Sequence, residues 1–112
     1  MDLIDKKLTK NKILILSKKY GDYIKLTVDI ENKWIIAGGI LHADGEKVLL
    51  EKGGSQDNIW GGGINMIDKQ IDTTAVLNIR PRLSNDNLEI LDPEIRKKFS
   101  DIIEKYFEEL WH

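Results

Sequence analysis

The predicted fold is organised around residues 40–51, ILHADGEKVLLE. Two apolar runs flank the dipeptide Asp44-Gly45, which favours a two-residue hairpin turn because glycine tolerates positive φ. The segment therefore predicts a β-hairpin, with residues 34–42 as its first strand and residues 47–51 as its second. It also contains His42, one of only two histidines in the chain.

The residues before this hairpin predict a strand with one apolar face. Every second residue of the stretch 23–30 is apolar, which is the period of a half-buried strand: Ile24, Leu26, Val28 and Ile30. Pairing across a turn at residues 31–33 would place Ile35 and Ala37 on the same face. Further strands are predicted at residues 64–67 and 73–80, and Leu3-Ile4 predicts a short edge strand or a hydrophobic anchor.

Residues 10–20 predict an amphipathic helix. Thr9 is a suitable N-cap, apolar residues recur at helical spacing, and Gly21 fits the stop position. The apolar run at residues 13–16, taken alone, would also suit a buried strand, and the cap and stop residues favour the helix.

A second helix is predicted near the C-terminus. Asp92 is a suitable N-cap, Pro93 suits the first helical position, and Glu94 is favoured there by the helix dipole. A continuous apolar stripe follows at helical spacing. Successive strands joined by short turns, with a helix before and after them, predict a single α+β domain over residues 1–112. Its architecture is a mainly antiparallel meander sheet of about five strands, with both helices packed on one face.

Composition excludes several classes of function. The chain has 17 basic and 19 acidic residues and a formal net charge of −2, so a nucleic-acid partner is not expected. It has no cysteine, which excludes disulfides, thiolate metal sites and a cysteine nucleophile. No HExxH or CxxC motif is present, so no metal site is predicted, and the identity of any cofactor is left open.

The distribution of apolar residues predicts a cytoplasmic protein. The N-terminal residues contain no long apolar segment of the kind found in signal peptides. No run approaches the roughly 20 apolar residues of a membrane span, so no membrane partner is expected. A homodimer is left open.

The second face of the predicted sheet combines apolar and polar side chains. A solvated face would not need Trp34, Ile36 and Leu49, so a loop, a second subunit or a ligand is expected to cover part of it. The long loop around Trp60 is the covering segment available within the chain. We expect a pocket or groove on this face, with the catalytic candidates His42, Asp29, Glu51 and Arg80 and the ligand-binding candidates Trp34, Trp60, Gly61, Gly62, Gly63 and Asn78.

Each candidate also has a purely structural interpretation. Asp29 could cap the turn that follows it, and Arg80 could form an ion pair with Glu51 or Asp29 instead of binding an anion. The glycines at 61–63 could hold an anion with their amides or allow close backbone approach. They do not form a Walker A loop, because no Gly-Lys-Ser/Thr follows.

An ordered set of short motifs resembles a known family. The motifs are Gly21-Asp22, Val28-Asp29-Ile30, His42-Ala43-Asp44, Trp60-Gly61-Gly62-Gly63, Asn78-Ile79-Arg80-Pro81 and Asp92-Pro93-Glu94-Ile95-Arg96. Together they span nearly the whole chain and resemble a family of small prokaryotic proteins described as a domain of unknown function. The resemblance implies a small cytosolic prokaryotic protein, and it implies no activity, ligand or catalytic residue.

Two hypotheses for the function follow. The first is a non-catalytic binding or interaction module that uses the second face of its sheet for a small ligand, a partner or a homodimer. The second is a small hydrolase or nuclease with His42 as general acid and base, Asp29 or Glu51 in support, and Arg80 stabilising an anion. Catalysis would require His42 and a carboxylate within about 3 Å of each other, directly or through one water.

Overall fold

A five-stranded antiparallel sheet forms the centre of the protein. The computed structural model describes residues 1–112. The strands are β1 (Asp2–Ile4), β2 (Tyr23–Asp29), β3 (Trp34–Ala37), β4 (Ile59–Asn65) and β5 (Gln70–Asp72), in the spatial order β1-β3-β2-β4-β5. Every neighbouring pair is antiparallel. The predicted α+β class and the five-stranded antiparallel sheet are confirmed.

Three α-helices accompany the sheet: α1 (Lys10–Tyr20), α2 (His42–Glu51) and α3 (Pro93–Tyr106). The ends of α1 are those predicted, with the Thr9 hydroxyl accepting from the Lys12 amide at 3.1 Å and Gly21 at φ +84°. The Asp92 carboxylate caps α3 by accepting from the Glu94 amide at 2.8 Å. None of the helices combines the length and the apolar character needed to cross a bilayer.

The main core lies between the sheet and the helices α1 and α3, as predicted. The apolar face of β2 and β3 contributes Ile24, Leu26, Val28, Ile35 and Ala37, all of them fully buried. Leu16 of α1 and Phe99 and Ile103 of α3 pack against this face and are also fully buried. Full burial of an aliphatic or aromatic side chain stabilises a fold by roughly 1.5–3 kcal/mol, so this face holds both helices in place.

The hairpin predicted at residues 40–51 is wrong, because this segment forms the helix α2. His42, Gly45 and Leu49 recur at helical spacing and face the sheet. Gly45 does not make a turn. It lets the helix approach β2 so closely that a Cβ atom at this position would lie 2.7 Å from the Thr27 hydroxyl oxygen. The burial of one helical face therefore overrides the local preference of Asp44-Gly45 for a turn.

Helix α2 covers the second face of the sheet. Leu49 of α2 packs with Ile36 of β3 and Ile59 of β4, and all three are fully buried. Trp34, Val48 and Leu77 pack around them and are partly buried. The covering segment is therefore α2 and not the loop around Trp60 that was predicted, because Trp60 lies in β4 and is buried in the main core on the other face of the sheet. The surface open to a ligand lies beside α2 instead of beneath it.

Three further strand predictions are corrected. The first hairpin strand ends at Ala37 instead of residue 42, and residues 73–80 contain a 3₁₀ turn, Val76–Asn78, where a strand was predicted. The fifth strand is Gln70–Asp72, where no strand was predicted. β4 begins at Ile59 and so includes the three glycines, which were assigned to a loop before a strand at 64–67.

Close contacts on both faces of β4 explain its three glycines. A Cβ atom at Gly61 would lie 2.9 Å from Ala75 Cβ and 2.9 Å from His42 Cδ2, and one at Gly62 would lie 2.1 Å from the Asp72 carbonyl oxygen. The glycines therefore allow neighbouring segments to approach the backbone closely, as predicted, but they do so within the regular strand β4.

Candidate functional site

His42 is the first residue of α2 and lies against β4. Its Nε2 is 2.7 Å from the carbonyl oxygen of Gly62. Because a carbonyl can only accept, Nε2 carries the proton and donates this hydrogen bond. Burial lowers the pKa of His42 below its ordinary value of 6.5, although the bond to Gly62 acts in the opposite direction. The imidazole is thus held neutral near pH 7, with Nδ1 left as an acceptor.

Asn78 is fully buried and binds the edge of β4. Its Oδ1 accepts from the Gly61 amide at 2.8 Å, and its Nδ2 donates to the Gly61 carbonyl at 2.9 Å. The Nδ2 group also donates to the Leu88 carbonyl at 3.0 Å. Asn78 therefore anchors the segment 73–80 beside the glycines of β4.

Arg80 forms a buried ion pair with α2. Its guanidinium donates to the Glu46 carboxylate at 3.0 Å and to the Gln56 carbonyl at 2.8 Å. The guanidinium carbon lies 5.1 Å from the centre of the Trp60 ring, a cation–π distance. The structure thus shows the ion-pair alternative for Arg80, with Glu46 as its partner in place of Glu51 or Asp29.

Asp29, Glu51 and Trp34 are placed away from His42. The buried Asp29 carboxylate accepts from the Glu31 and Asn32 amides at 3.0 and 2.9 Å, which is the turn-capping role considered from the sequence. Glu51 is exposed at the end of α2, and the ring of Trp34 is covered by the Lys52 ammonium at 4.6 Å. No group of three or more His, Asp or Glu side chains is placed to hold a metal ion.

The structure therefore brings together only part of the predicted set. His42, Gly61, Gly62, Asn78 and Arg80 lie around the contact between β4, α2 and the segment 73–80. Trp60 is buried in the main core on the other face of the sheet and meets this group only through the Arg80 guanidinium. Gly63 pairs with Lys25 of β2 and contacts the ring of Tyr23. The side chain of His42 bonds to a backbone carbonyl and has no carboxylate partner.

A cleft of about 400 Å³ opens beside His42, between the start of α2 and the 3₁₀ turn of residues 76–78. Its lining is mainly apolar and consists of Lys25, Leu41, His42, Ala43, Ala75, Val76 and Leu77. Leu41 is 61% exposed and Val76 is 75% exposed. The only charged residue in the lining is Lys25, whose ammonium donates to the Ile40 carbonyl at 2.5 Å.

Sequence reasoning missed most of this lining. Lys25 alternates with Ile24 and Leu26, so its position on the second face was available from the strand pattern. No comparable signal marked residues 75–77, because the stretch 73–80 was interpreted as a strand and its contact with α2 depends on a helix that was not predicted.

The fold and the cleft define a small α+β domain in which the helix α2 lies close against the glycine-rich strand β4 and leaves an apolar cleft beside a neutral histidine. The profile of the family described as "Protein of unknown function (DUF5674)" matches residues 2–106, so the chain belongs to this family. No curated protein and no solved structure matches the chain.

Proposed function

We propose that the protein is a non-catalytic binding module that takes a small, mainly apolar molecule with one anionic group in the cleft beside His42. The observation that carries this proposal is the lining of the cleft, in which five hydrophobic residues surround Lys25 and His42. Small-molecule sites have volumes of roughly 300–1,000 Å³ and combine an apolar lining with a few polar groups. The cleft matches this description in both volume and composition.

The polar groups of the cleft indicate which ligand it fits. Lys25 supplies a positive charge that is already oriented by its bond to the Ile40 carbonyl. His42 is held neutral by burial, so its Nδ1 offers an acceptor without a second charge. A short-chain or aromatic carboxylic acid matches Lys25 and the apolar lining, because its carboxylate would meet the Lys25 ammonium while its apolar part lies against Leu41 and Val76.

The cellular setting belongs to the proposal as well. We place the module in the cytoplasm of a prokaryotic cell, which is the setting that the ordered sequence motifs imply. The homodimer considered from the sequence stays a prediction, and sedimentation equilibrium of the purified chain measures it directly.

The test is a titration of the ¹⁵N-labelled protein with three carboxylate probes, namely benzoate, hexanoate and indole-3-acetate, followed by NMR. We expect saturable shifts at the amides of residues 41–43 and 75–77, with dissociation constants in the range of about 1 mM typical of fragment-sized ligands. Benzyl alcohol, which has no charge, is the matched neutral probe for benzoate.

Three variants make the test specific. Lys25→Gln should weaken benzoate about tenfold and leave benzyl alcohol unchanged, since only the charge pairing is lost. Lys18→Gln removes the same charge from the exposed face of α1 and should change neither titration. Ala43→Trp, at an exposed position in the lining, should fill the cleft and abolish the binding of all probes.

The proposal fails if none of the three carboxylates shifts these amides saturably. It fails equally if the shifts cluster elsewhere, or if Ala43→Trp leaves the affinities unchanged.

A further inference from the structure

The charges of this chain are divided unevenly along the sequence. Residues 6–19 contain six lysines and no carboxylate, which gives this segment a charge of +6. The other residues carry the remaining 11 basic and all 19 acidic groups, a net charge of −8. The net charge of the chain is close to zero, but residues 6–19 form a strongly basic segment, most of which belongs to α1.

The outward face of α1 carries apolar residues between lysines. Ile13 and Leu16 face the core and are buried, whereas Leu14 is 58% exposed and Ile15 is 48% exposed. Lys10 and Lys18 are exposed and lie one turn before and one turn after Leu14, so the three side chains follow one line on the helix surface. We call Lys10, Leu14, Ile15 and Lys18 the outer face of α1.

The stability of the helix does not account for this arrangement. The first turn of α1 contains Lys10 and Lys12 and no acidic residue, although the helix dipole disfavours cations at that end. Lys12 and Lys19 lie near the carboxylate of Asp2, at 3.9 and 3.0 Å, but Lys10 and Lys18 form no ion pair. The two lysines that flank Leu14 are thus free to bind an external anion.

We propose that the outer face of α1 binds the surface of a bilayer that contains anionic phospholipids. Helices that lie in a membrane interface combine exposed aliphatic side chains with flanking lysines, and no membrane-spanning segment is needed. Leu14 and Ile15 would enter the boundary between headgroups and acyl chains, while Lys10 and Lys18 would meet the lipid phosphates.

Lipid fits this face better than a nucleic acid does. The centre of the face is aliphatic, and phosphate backbones offer no apolar surface to bury Leu14 and Ile15. The arginines of the chain, which suit bidentate phosphate recognition, lie outside residues 6–19 at positions 80, 82 and 96. This inference uses a different surface from the cleft beside His42 and is independent of the proposed function.

The test is sedimentation of the full-length protein with vesicles of phosphatidylglycerol and phosphatidylcholine in equal amounts, compared with vesicles of phosphatidylcholine alone. We expect binding to the anionic vesicles that weakens as salt is added. Each lysine near an anionic surface contributes a factor of about five, so Lys10→Gln with Lys18→Gln should weaken binding about 25-fold. Lys97→Gln with Lys98→Gln, which removes the same charge from exposed positions on α3, should leave it unchanged.

A second pair of variants separates lipid insertion from simple attraction between charges. Leu14→Ser with Ile15→Ser keeps every charge and should weaken vesicle binding about tenfold, because apolar area is no longer buried. Ile67→Ser is the matched control, since Ile67 is 74% exposed on a different part of the surface. Thermal unfolding of each variant verifies that the fold is retained.

The inference is overturned if both types of vesicle sediment the protein equally, or if the α3 lysine variant loses as much binding as the α1 variant. Vesicle binding that survives the Leu14 and Ile15 substitutions would also overturn it. Binding to a DNA duplex at the same salt concentration, with no binding to vesicles, would assign the face to nucleic acid instead.

Discussion

The side chain of Asn78 pairs with the backbone of Gly61 as a neighbouring strand would. It accepts from the Gly61 amide at 2.8 Å and donates to the Gly61 carbonyl at 2.9 Å. The strand β5 pairs only with residues 63–65 of β4, so the edge of β4 before residue 63 needs another partner. One buried amide side chain meets that need and lets residues 73–80 leave the sheet.

We predict that Asn78→Asp destabilises the protein by about 3 kcal/mol or more, because a carboxylate cannot donate to the Gly61 and Leu88 carbonyls and would be buried without a cation. Urea denaturation gives the free energy of unfolding. Asn11→Asp, at an exposed position of α1, is the control and should be close to wild type. Equal stability of the two variants would contradict the pairing of Asn78 with Gly61.

The ion pair between Arg80 and Glu46 should couple α2 to the segment 73–80. Both side chains are nearly buried, with exposed fractions of 8% and 14%. Removing one partner of a buried pair leaves an uncompensated charge, so Arg80→Met should cost roughly 3–5 kcal/mol of unfolding free energy. Arg80→Met combined with Glu46→Leu should recover part of that loss.

The exposed ion pair between Arg82 and Asp57 is the control for the Arg80 and Glu46 variants. Its side chains are 60% and 53% exposed, so solvent and salt screen the interaction. Arg82→Gln should therefore leave the denaturation midpoint nearly unchanged. A large loss of stability in Arg82→Gln together with a small loss in Arg80→Met would contradict the conclusion that the Arg80–Glu46 pair is the one that stabilises the fold.

Gly61→Ala tests the close approach of α2 and residue 75 to β4. The added Cβ would lie 2.9 Å from Ala75 Cβ, which is closer than carbon atoms pack, and we expect a loss of about 1–3 kcal/mol. Adding Ala75→Gly should restore part of the stability, with a favourable coupling of at least about 0.5 kcal/mol in the double-mutant cycle. Strictly additive effects would show that the two positions are not in contact.

The stability of the protein should depend on the protonation of His42 in mildly acidic solution. Burial lowers the pKa of His42 in the folded state below its ordinary value of 6.5. Between these two pKa values the unfolded chain binds the proton and the folded protein does not, so the unfolding free energy falls as the pH drops below about 6.5 and levels off below the folded pKa.

His42→Gln should flatten this pH dependence, since the amide does not titrate. His112→Gln, at the exposed chain end, should keep it. NMR of the imidazole nitrogens measures the tautomer directly, and we expect the proton on Nε2 at neutral pH. A protonated Nδ1 in its place would contradict the bond to the Gly62 carbonyl.

The parts of the fold that were predicted from the sequence are those in which local signals and burial agree. In α1 the cap at Thr9 and the stop at Gly21 bound a helix whose apolar residues reach the core. In β2 the alternation of Ile24, Leu26 and Val28 matches the face that is buried. At such positions the neighbours along the chain already supply the information, so the tertiary structure adds little to it.

Only part of the candidate site could be predicted from the sequence. His42, Gly61, Gly62 and Asn78 were selected from the sequence, and the structure places them together. Asp29 and Glu51 were grouped with His42 through the register of a hairpin that does not form, so the structure separates them from it. Residues 75–77 complete the cleft through contact with α2, and nothing local to them indicated that contact.

The sequence by itself determined β2 and the start of β3, the two terminal helices and the apolar face that joins them, because strand alternation, helical spacing and cap residues act over a few neighbouring residues. Only the tertiary structure decided the conformation of residues 40–51. Asp44-Gly45 suits a turn, but His42, Gly45 and Leu49 fit against the second face of the sheet only as a helix. The burial of Leu49 against Ile36 and Ile59 therefore outweighed the turn preference of two residues. The cleft beside His42 depends on this outcome, because the start of α2 forms one of its walls.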